Sequence, residues 1–146
     1  MENYLFQLKA LCEGQQNNIS MLANASALLN DVLDDINWIG FYLIDKDKLI
    51  LGPFQGKVAC TTIALGKGVC GAAYDKKSLL NVDNVHEFPG HIACDSRSNS
   101  EIVIPLIYEG KRYGVLDIDS TSFSRFTLDD EINLQQAADI IAANIK

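Results

Sequence analysis

Two aspartates near the end of the chain stand where a proton donor or a cation site could form. Asp117 and Asp119 are two residues apart in a predicted strand, so their side chains leave the same face of the sheet. The same alternation places Tyr113 and Val115 on that face. Glu101 opens the preceding strand and could approach the aspartates across the ladder. Because like charges in a confined site do not all ionise, the pKa of at least one carboxyl rises and that group can donate a proton near neutral pH. The carboxylates that stay ionised could bind a cation, although a solvated strand face explains the two aspartates alone equally well.

A cysteine lies seven residues before the first of these acids. Cys94 stands in a polar stretch with His91 and Arg97, either of which could favour the reactive thiolate. Cys60 and Cys70 lie upstream on separate predicted elements. A nucleophilic cysteine with candidate resolving partners is what a thiol–disulfide cycle requires. The competing interpretation, that these are small buried hydrophobic residues, is the more common one for a free cysteine taken at random.

Metal and phosphate sites are weaker interpretations of the same chain. His86, His91 and Cys94 could in principle bind zinc, but the sequence lacks the close pairs C-x-x-C and H-E-x-x-H that are typical of zinc sites. We therefore predict no metal. The glycine-rich residues 66–71 do not match the phosphate-binding pattern G-x-x-x-x-G-K-[ST] and are interpreted as a turn and a helix start.

Two aromatic residues could line a pocket. Trp38 and Tyr42 are four residues apart in a predicted strand and so share a face. Packing in the core is the ordinary explanation. If they face a cavity instead, they could hold an apolar or sulfur-bearing side chain.

The elements that must position these residues are helices at both ends and strands between them. Residues 4–34 show helical periodicity with a break near Gly14, and Thr127 starts a capping-box motif before a last helix. A short helix follows the glycine-rich segment, and residues 81–99 are predicted to be mostly loop, a length that is usually functional. Strands are predicted over residues 38–44, 49–54, 58–65, 101–108 and 112–119. This order predicts an α+β fold with a central antiparallel sheet flanked by the N-terminal and C-terminal helices.

Length and charge limit the function classes. The 146 residues predict a single domain over 1–146, large enough for a core of its own. A net charge of −7 argues against nucleic acid and anionic membranes as partners. The N-terminus lacks the positive charge of a signal peptide, and no membrane span is visible. We therefore expect a cytoplasmic protein whose cysteines are thiols unless a reaction oxidises them.

The order of cysteines and acids resembles one enzyme family. The three cysteines, followed by Glu101 and by Asp117-Ile-Asp119, resemble the free methionine-R-sulfoxide reductases, which are GAF-domain enzymes. The resemblance spans nearly the whole chain. It extends over Leu22-Ala-Asn-Ala-Ser-Ala-Leu-Leu29, Asn37-Trp-Ile-Gly-Phe-Tyr-Leu43, Leu51-Gly-Pro-Phe-Gln-Gly56, Gly90-His-Ile-Ala-Cys-Asp-Ser96 and Gly114-Val-Leu-Asp-Ile-Asp-Ser120.

The resemblance implies a GAF-like domain that reduces free L-methionine-R-sulfoxide to methionine. It implies that Cys94 attacks the sulfoxide sulfur and is left as a sulfenic acid. Glu101, helped by Asp117 or Asp119, would protonate the departing oxygen. These three acids would also bind the free amino group of the substrate, which explains a preference for the free amino acid over a residue in a peptide.

The remaining residues receive roles from the same resemblance. Trp38 and Tyr42 would shape the pocket around the methyl-sulfur end of the substrate. Cys60 would condense with the sulfenic acid to a disulfide, with Cys70 as backup or relay, and the choice between these two stays open. Thioredoxin would reduce the disulfide, no cofactor would be needed, and the protein would form a homodimer. Cys12 lies outside the motif and is predicted to be a core thiol.

Two other functions use the same residues. A GAF module that binds a small molecule without chemistry is one, and a redox sensor that signals through its cysteines is the other. Binding modules are usually fused to output domains, and they would not need three cysteines in register. Catalytic production of methionine would distinguish the enzyme from both.

Overall fold

The computed structural model describes residues 3–91 and 97–146, so Cys94 lies outside the described residues. Within them the chain forms helices, strands and a 3-10 helix at Val85–Glu87. In chain order the larger elements are α1 (Asn3–Cys12), α2 (Asn18–Val32), β1 (Trp38–Asp45), β2 (Lys48–Gln55), β3 (Thr62–Ala64), α3 (Gly68–Lys76), β4 (Leu80–Val82), β5 (Ser100–Tyr108), β6 (Lys111–Ser120) and α4 (Leu128–Ala143).

The strands form one antiparallel sheet. Their order is β3-β2-β1-β6-β5-β4, and each pairing of described strands is antiparallel. The predicted α+β class is confirmed, and so are the helical break before α2 and the predicted strands that correspond to β1, β2, β5 and β6. Strand β6 is central and pairs with β1 on one side and β5 on the other.

Helices cover both faces of the sheet, but unequally. α1, α2 and α4 pack together on one face, over a core of aliphatic side chains that includes Leu22, Leu116 and Ile141. The predicted core thiol Cys12 is buried in this cluster, and burial raises its pKa to about 11. The short α3 packs on the opposite face against β3, β5 and β6. That second face carries the smaller cluster in which Trp38 is buried.

The hairpin β5–β6 contains an irregularity that the sequence does not predict. The ladder shifts register between Leu106 and Ile107, so Tyr113 has no partner in the pairing. Next to it, Gly114 has a φ of +150°, and a Cβ there would collide with the carbonyl oxygen of Tyr42. The placement of Tyr113 on the face of the aspartates is therefore wrong, because the bulge adds one residue to the alternation. Tyr113 packs against the three-helix cluster instead.

Two short strands also differ from prediction. The predicted strand 58–65 is regular only at β3, because the carbonyl oxygens of Lys57 and Cys60 accept hydrogen bonds from side chains of β1, whereas that of Thr61 accepts from the backbone of β2. The predicted loop 81–99 begins with β4, which pairs with β5 at the edge of the sheet. Three-residue strands are too short to show a periodic pattern.

Local signals fix the ends of the helices. Asn17 accepts from the backbone N–H groups of Ile19 and Ser20 and so caps α2. Thr127 and Asp130 form the predicted capping box of α4. In the described part of the chain, every helix is too short or too polar to cross a bilayer.

Candidate active site

Three carboxyl groups meet on the face of the sheet that α3 covers. Glu101 of β5 lies opposite Asp119 of β6, and the next residue on that face of β6 is Asp117, which lies opposite Val103. Because β6 is central, Trp38 of β1 faces Asp119 from the other side. Glu101 is 7% exposed and Asp117 is 5% exposed. The strand register thus brings the three predicted acids together, with Glu101 and Asp117 buried and Asp119 partly exposed.

Burial and crowding raise the pKa values of Glu101 and Asp117. Burial raises the pKa of Glu101 well above its usual range, and the nearby charges of Asp117 and Asp119 raise it further. Burial also raises the pKa of Asp117, although hydrogen bonds from Glu101, Cys70 and Asp119 partly offset that rise. Oδ1 of Asp117 is buried without a hydrogen-bond partner. The cluster therefore offers both a proton donor and an unsatisfied acceptor to whatever enters the cavity.

Cys70 joins the acids from the first turn of α3. Its side chain is 4% exposed, and its Sγ donates to Oε2 of Glu101 at 4.0 Å. Burial, together with the charges of Asp117 and Glu101, raises the pKa of Cys70 well above its usual value. The thiol is therefore neutral at pH 7, which makes it a poor nucleophile.

The position of Cys70 depends on a close approach between α3 and the turn before it. A Cβ on Gly71 would lie 2.9 Å from both the carbonyl oxygen of Ala64 and the backbone nitrogen of Gly66. Only glycine fits this distance, so the glycine-rich segment serves packing. This agrees with the predicted turn and helix start.

The same cluster has the donor set for a cation. Ligand atoms of Cys70, Glu101 and Asp117 all lie within 4.8 Å of one another. The alternative set considered from the sequence is only partly described: the rings of His86 and His91 lie 6.4 Å apart, and Cys94 lies outside the described residues. The absence of a metal stays a prediction.

An aromatic wall forms the other side of the cavity. Trp38 stacks on Tyr42 with ring centroids 6.0 Å apart, and on Phe54 with centroids 5.2 Å apart. Phe54 of β2 lies opposite Gly40 of β1, and a Cβ on Gly40 would collide with the Phe54 side chain. Sequence analysis did not identify Phe54, although its cross-strand position opposite a glycine was the available signal.

One cavity is lined by the acids, the aromatic pair and Cys70. Its lining includes the acidic group Glu101, Asp117 and Asp119 and, beside it, the aromatic pair Trp38 and Tyr42. His91, which the sequence analysis considered as a thiolate stabiliser and a zinc ligand, also lines the cavity. Residues that the sequence did not assign to a site complete the lining, namely Val58, Ala59, Ile63, Lys67, Gly68, Val69 and Ser98. The cavity therefore combines groups for charge recognition with an apolar, aromatic surface.

Two of these lining residues have informative surroundings. Burial and the neighbouring His86 lower the pKa of His91, so it is mostly neutral at pH 7 rather than a fixed positive charge. Ser98 accepts a hydrogen bond from Nδ2 of Asn37 at 3.1 Å, which ties the end of the long loop to the start of β1. Arg97, the other candidate for stabilising a thiolate, is exposed.

Cys60 lies beside the aromatic wall, in the irregular stretch between β2 and β3. It is half-buried and disulfide-bonded, whereas Cys12 and Cys70 are free thiols. Its carbonyl oxygen accepts a hydrogen bond from the hydroxyl of Tyr42 at 2.9 Å. Among the predicted site residues that are described, the structure thus gathers all but Cys60 around the cavity, and Cys60 contacts the cavity wall.

Known proteins resemble this chain in sequence and in fold. Residues 21–146 match the model of a GAF domain family. Free methionine-R-sulfoxide reductase from Escherichia coli is 55% identical over 127 residues, which are 87% of this chain and 77% of that protein. The reduced form of fRMsr of Staphylococcus aureus superposes with a TM-score of 0.94 at 47% identity and covers 100% of this chain and 97% of its own.

A further solved structure contains a ligand. Free methionine-R-sulfoxide reductase from Neisseria meningitidis, in complex with its substrate, has a TM-score of 0.92 at 41% identity and covers 96% of this chain and 84% of its own. Both the sequence relationship and the shared fold extend over most of the chain. The protein belongs to the GAF-domain family, in the group that includes the free methionine-R-sulfoxide reductases.

Proposed function

We propose that this protein is an oxidoreductase that reduces free L-methionine-R-sulfoxide to methionine. The observation that carries the proposal is one cavity that is lined both by an acid cluster and by stacked aromatic rings. Two proteins that are 55% and 41% identical to this chain over the aligned residues are free methionine-R-sulfoxide reductases, and the second of these was solved with its substrate.

The acid cluster suits a free amino acid. Burying carboxylates without a counter-charge is costly, so the cavity favours a ligand that supplies a cation. An α-ammonium group does this and can also pair with the unsatisfied Oδ1 of Asp117. A methionine sulfoxide residue inside a peptide has a neutral amide instead of this ammonium group. It therefore does not offset the free energy that is needed to bury the carboxylates. The preference for the free amino acid follows from this difference.

The sulfur end suits the aromatic wall. A methyl sulfoxide side chain that extends from the acids towards Trp38 and Tyr42 places its methyl-sulfur group against the rings, where sulfur–aromatic contacts are favourable. In this pose the sulfoxide oxygen lies within the same small cavity as Glu101, whose raised pKa keeps a proton available.

In the proposed reaction, Cys94 attacks the sulfoxide sulfur. Glu101, helped by Asp117 or Asp119, delivers a proton to the oxygen, which makes it a better leaving group. The oxygen passes from the substrate to the cysteine, so methionine leaves and Cys94 becomes a sulfenic acid. The sulfoxide gains two electrons and the cysteine loses two.

We assign the resolving role to Cys60 rather than to Cys70. Cys60 then condenses with the sulfenic acid to give a disulfide and water. Cys60 is half-buried and disulfide-bonded, which supports this choice. Cys70 is buried, its thiol is hydrogen-bonded to Glu101, and its raised pKa keeps that thiol neutral. Its role is therefore to complete the acid cluster.

External requirements complete the proposal. Thioredoxin would supply two electrons to the disulfide, and no bound cofactor takes part.

We also propose that the protein works in the cytoplasm as a homodimer. Exposed apolar side chains on its outer helices, among them Phe6, Leu128 and Ile132, support a subunit contact. Light scattering of the purified protein tests the dimer.

The test of the function is catalytic and stereospecific. Purified protein with dithiothreitol is given free methionine-R-sulfoxide, its S epimer, or the R epimer acetylated on nitrogen, and methionine release is followed by chromatography. We expect multiple turnover of the free R epimer alone. Cys94→Ser should abolish it, and Cys60→Ser should release about one methionine per site before stalling in the absence of small thiols.

Two results would contradict the proposal. Binding of the R epimer without methionine release would indicate a non-catalytic GAF module. Thiol oxidation by peroxide with no consumption of either epimer would indicate a redox sensor.

A further inference from the structure

The stretch that carries Cys60 has neither helix nor strand, yet it is fixed against the cavity. Residues 56–61 connect β2 to β3. Nε1 of Trp38 donates a hydrogen bond to the carbonyl oxygen of Lys57 at 3.1 Å. The hydroxyl of Tyr42 donates to the carbonyl oxygen of Cys60 at 2.9 Å. The backbone N–H of Leu51 donates to the carbonyl oxygen of Thr61 at 3.0 Å. Two of the three hydrogen bonds thus come from the aromatic wall.

Tyr42 is built to be a permanent donor. Burial raises the pKa of its hydroxyl, and the negative field of Asp117 adds to the rise, so the group stays protonated over the working pH range. Its ring is buried and stacked on Trp38, which leaves it little freedom to turn. The acceptor is the backbone of Cys60 itself, so the hydrogen bond acts directly on the position of that cysteine.

The hydrogen bond coexists with the oxidised form of Cys60. Cys60 is disulfide-bonded in the same structure in which its carbonyl is held by Tyr42. The neighbouring Val58 is 88% exposed, so few packing contacts of its own hold that part of the stretch in place. The two side-chain hydrogen bonds and the backbone bond at Thr61 therefore help to order the stretch, together with the disulfide of Cys60 and the packing of Ala59.

We propose that Tyr42 is a positioning residue for disulfide formation, in addition to lining the substrate cavity. This inference rests on the proposed function. In the step concerned, the thiol of Cys60 attacks the sulfenic sulfur of Cys94, the S–O bond breaks, an S–S bond forms and water leaves with the thiol proton. Tyr42 holds the backbone of Cys60 so that its sulfur reaches the sulfenic acid at a high effective concentration.

A role confined to the substrate and a role in positioning Cys60 predict different kinetics. Tyr42→Phe keeps the ring against the substrate and removes only the hydroxyl. If Tyr42 only lines the cavity, this change affects methionine release and disulfide formation to a similar, small extent. If Tyr42 positions Cys60, disulfide formation slows much more than methionine release.

The experiment separates the two steps in single-turnover mixing without reductant. Methionine release is measured by quenched flow, and disulfide formation by mass spectrometry of alkylated protein. For Tyr42→Phe we expect disulfide formation to slow about tenfold, as for the loss of one hydrogen bond, and methionine release to slow less than about threefold. A high concentration of dithiothreitol, which reduces the sulfenic acid directly, should restore turnover to near that of the unchanged chain.

Tyr74→Phe is the matched control. Tyr74 is buried in the same cluster, and its known contacts use its ring and its carbonyl rather than its hydroxyl. We expect both steps to stay within about twofold of the unchanged chain. Equal slowing of both steps in Tyr42→Phe, no slowing of disulfide formation, or the same effect in Tyr74→Phe would overturn the inference. Thermal unfolding of each variant identifies one that has failed to fold.

A second measurement does not need the substrate. The equilibrium between the protein disulfide and glutathione gives the effective concentration of the Cys60 thiol. We expect this concentration to fall about fivefold in Tyr42→Phe and to stay unchanged in Tyr74→Phe. An unchanged equilibrium in Tyr42→Phe overturns the inference. If the unchanged chain consumes no methionine sulfoxide, the proposed function fails while this equilibrium still tests the role of Tyr42.

Discussion

The two faces of the central strand β6 differ in what they bury. Towards α1, α2 and α4 the strand presents Leu116 and Ile118, which are fully buried in an aliphatic core. Towards α3 it presents Asp117 and Asp119, which line the cavity with Glu101. Adjacent residues of one strand thus meet opposite environments.

The difference separates stability from chemistry. Burial of aliphatic side chains stabilises the fold by roughly 1.5–3 kcal/mol for each large residue, whereas buried carboxyl groups cost free energy unless they are paired or protonated. The three-helix face can therefore support an acidic cavity on the reverse side of the same sheet. Substitutions on the two faces should have opposite effects on stability and activity.

The largest effect is expected from Glu101→Gln, which keeps the shape of the side chain and removes its acidic proton. We expect kcat/KM for methionine sulfoxide to fall about 10²–10³-fold, because the oxygen loses its acid. The free energy of unfolding at pH 7 should not fall, since a buried carboxyl is replaced by a neutral amide. Steady-state kinetics and urea unfolding measure both.

Glu87→Gln is the matched control, because Glu87 is exposed on the 3-10 helix and outside the cavity. Glu87→Gln should change neither kcat/KM nor the free energy of unfolding. A Glu101→Gln variant with undiminished kcat/KM would remove Glu101 from the reaction.

On the opposite face, Leu116→Ala should show the reverse pattern. Leu116 is fully buried, and its truncation leaves a cavity that costs about 2–5 kcal/mol. At low temperature, where the variant is still folded, kcat/KM should stay within about threefold of the unchanged chain. Urea unfolding and kinetics on the same preparation test this. A large loss of kcat/KM in the folded variant would show that the two faces are coupled.

A smaller effect is expected from pH. The ordinary pKa of a glutamate is 4.5, and that of Glu101 is raised in the folded protein, so the folded state binds more protons above that pH. Stability that comes from this group is present below its unfolded pKa and is lost as pH rises towards its folded pKa. The free energy of unfolding should fall by up to about 1.4 kcal/mol per pH unit over this window.

Glu101→Gln should remove this dependence, so the difference between the two unfolding curves isolates the contribution of one group. Urea unfolding at several pH values measures it. Parallel curves for the two proteins would mean that Glu101 is ionised in the folded state.

The smallest effect is expected from Thr127→Ala at the start of α4. The change removes the side-chain half of the capping box and should cost about 1 kcal/mol. Because α4 lies on the three-helix face, kcat/KM should be unchanged. Thermal unfolding and kinetics check both. A loss of activity at constant stability would be unexpected.

The sequence allowed much of this arrangement to be predicted. Period-two alternation and the tight turn at Glu109 and Gly110 define the hairpin β5–β6, so the meeting of Glu101 with Asp119 could be expected. The same reasoning placed Trp38 and Tyr42 on one face, and the structure stacks them. These features are local or depend on one pairing of neighbouring strands.

The remainder depends on contacts between segments that are distant in sequence. Tyr113 lies on the other face because a bulge adds one residue to the alternation, next to the position where Gly114 closely approaches β1. The burial of Cys70 depends on the packing of α3 against the turn before it, and the contact between Tyr42 and Cys60 depends on the path of an irregular stretch. No pattern within a single element contains this information.

The bulge at Gly114 has a consequence for engineering. It lies between the tip of the hairpin and its base, and beyond it residues 115–119 are held in register by their pairing with β1 on one side and β5 on the other. The tip around Glu109 and Gly110 can therefore be lengthened or replaced without moving residues 115–119 to the other face of the sheet. A fluorescent label or a recognition peptide grafted at this turn would report on the protein while its acidic cavity stays in register.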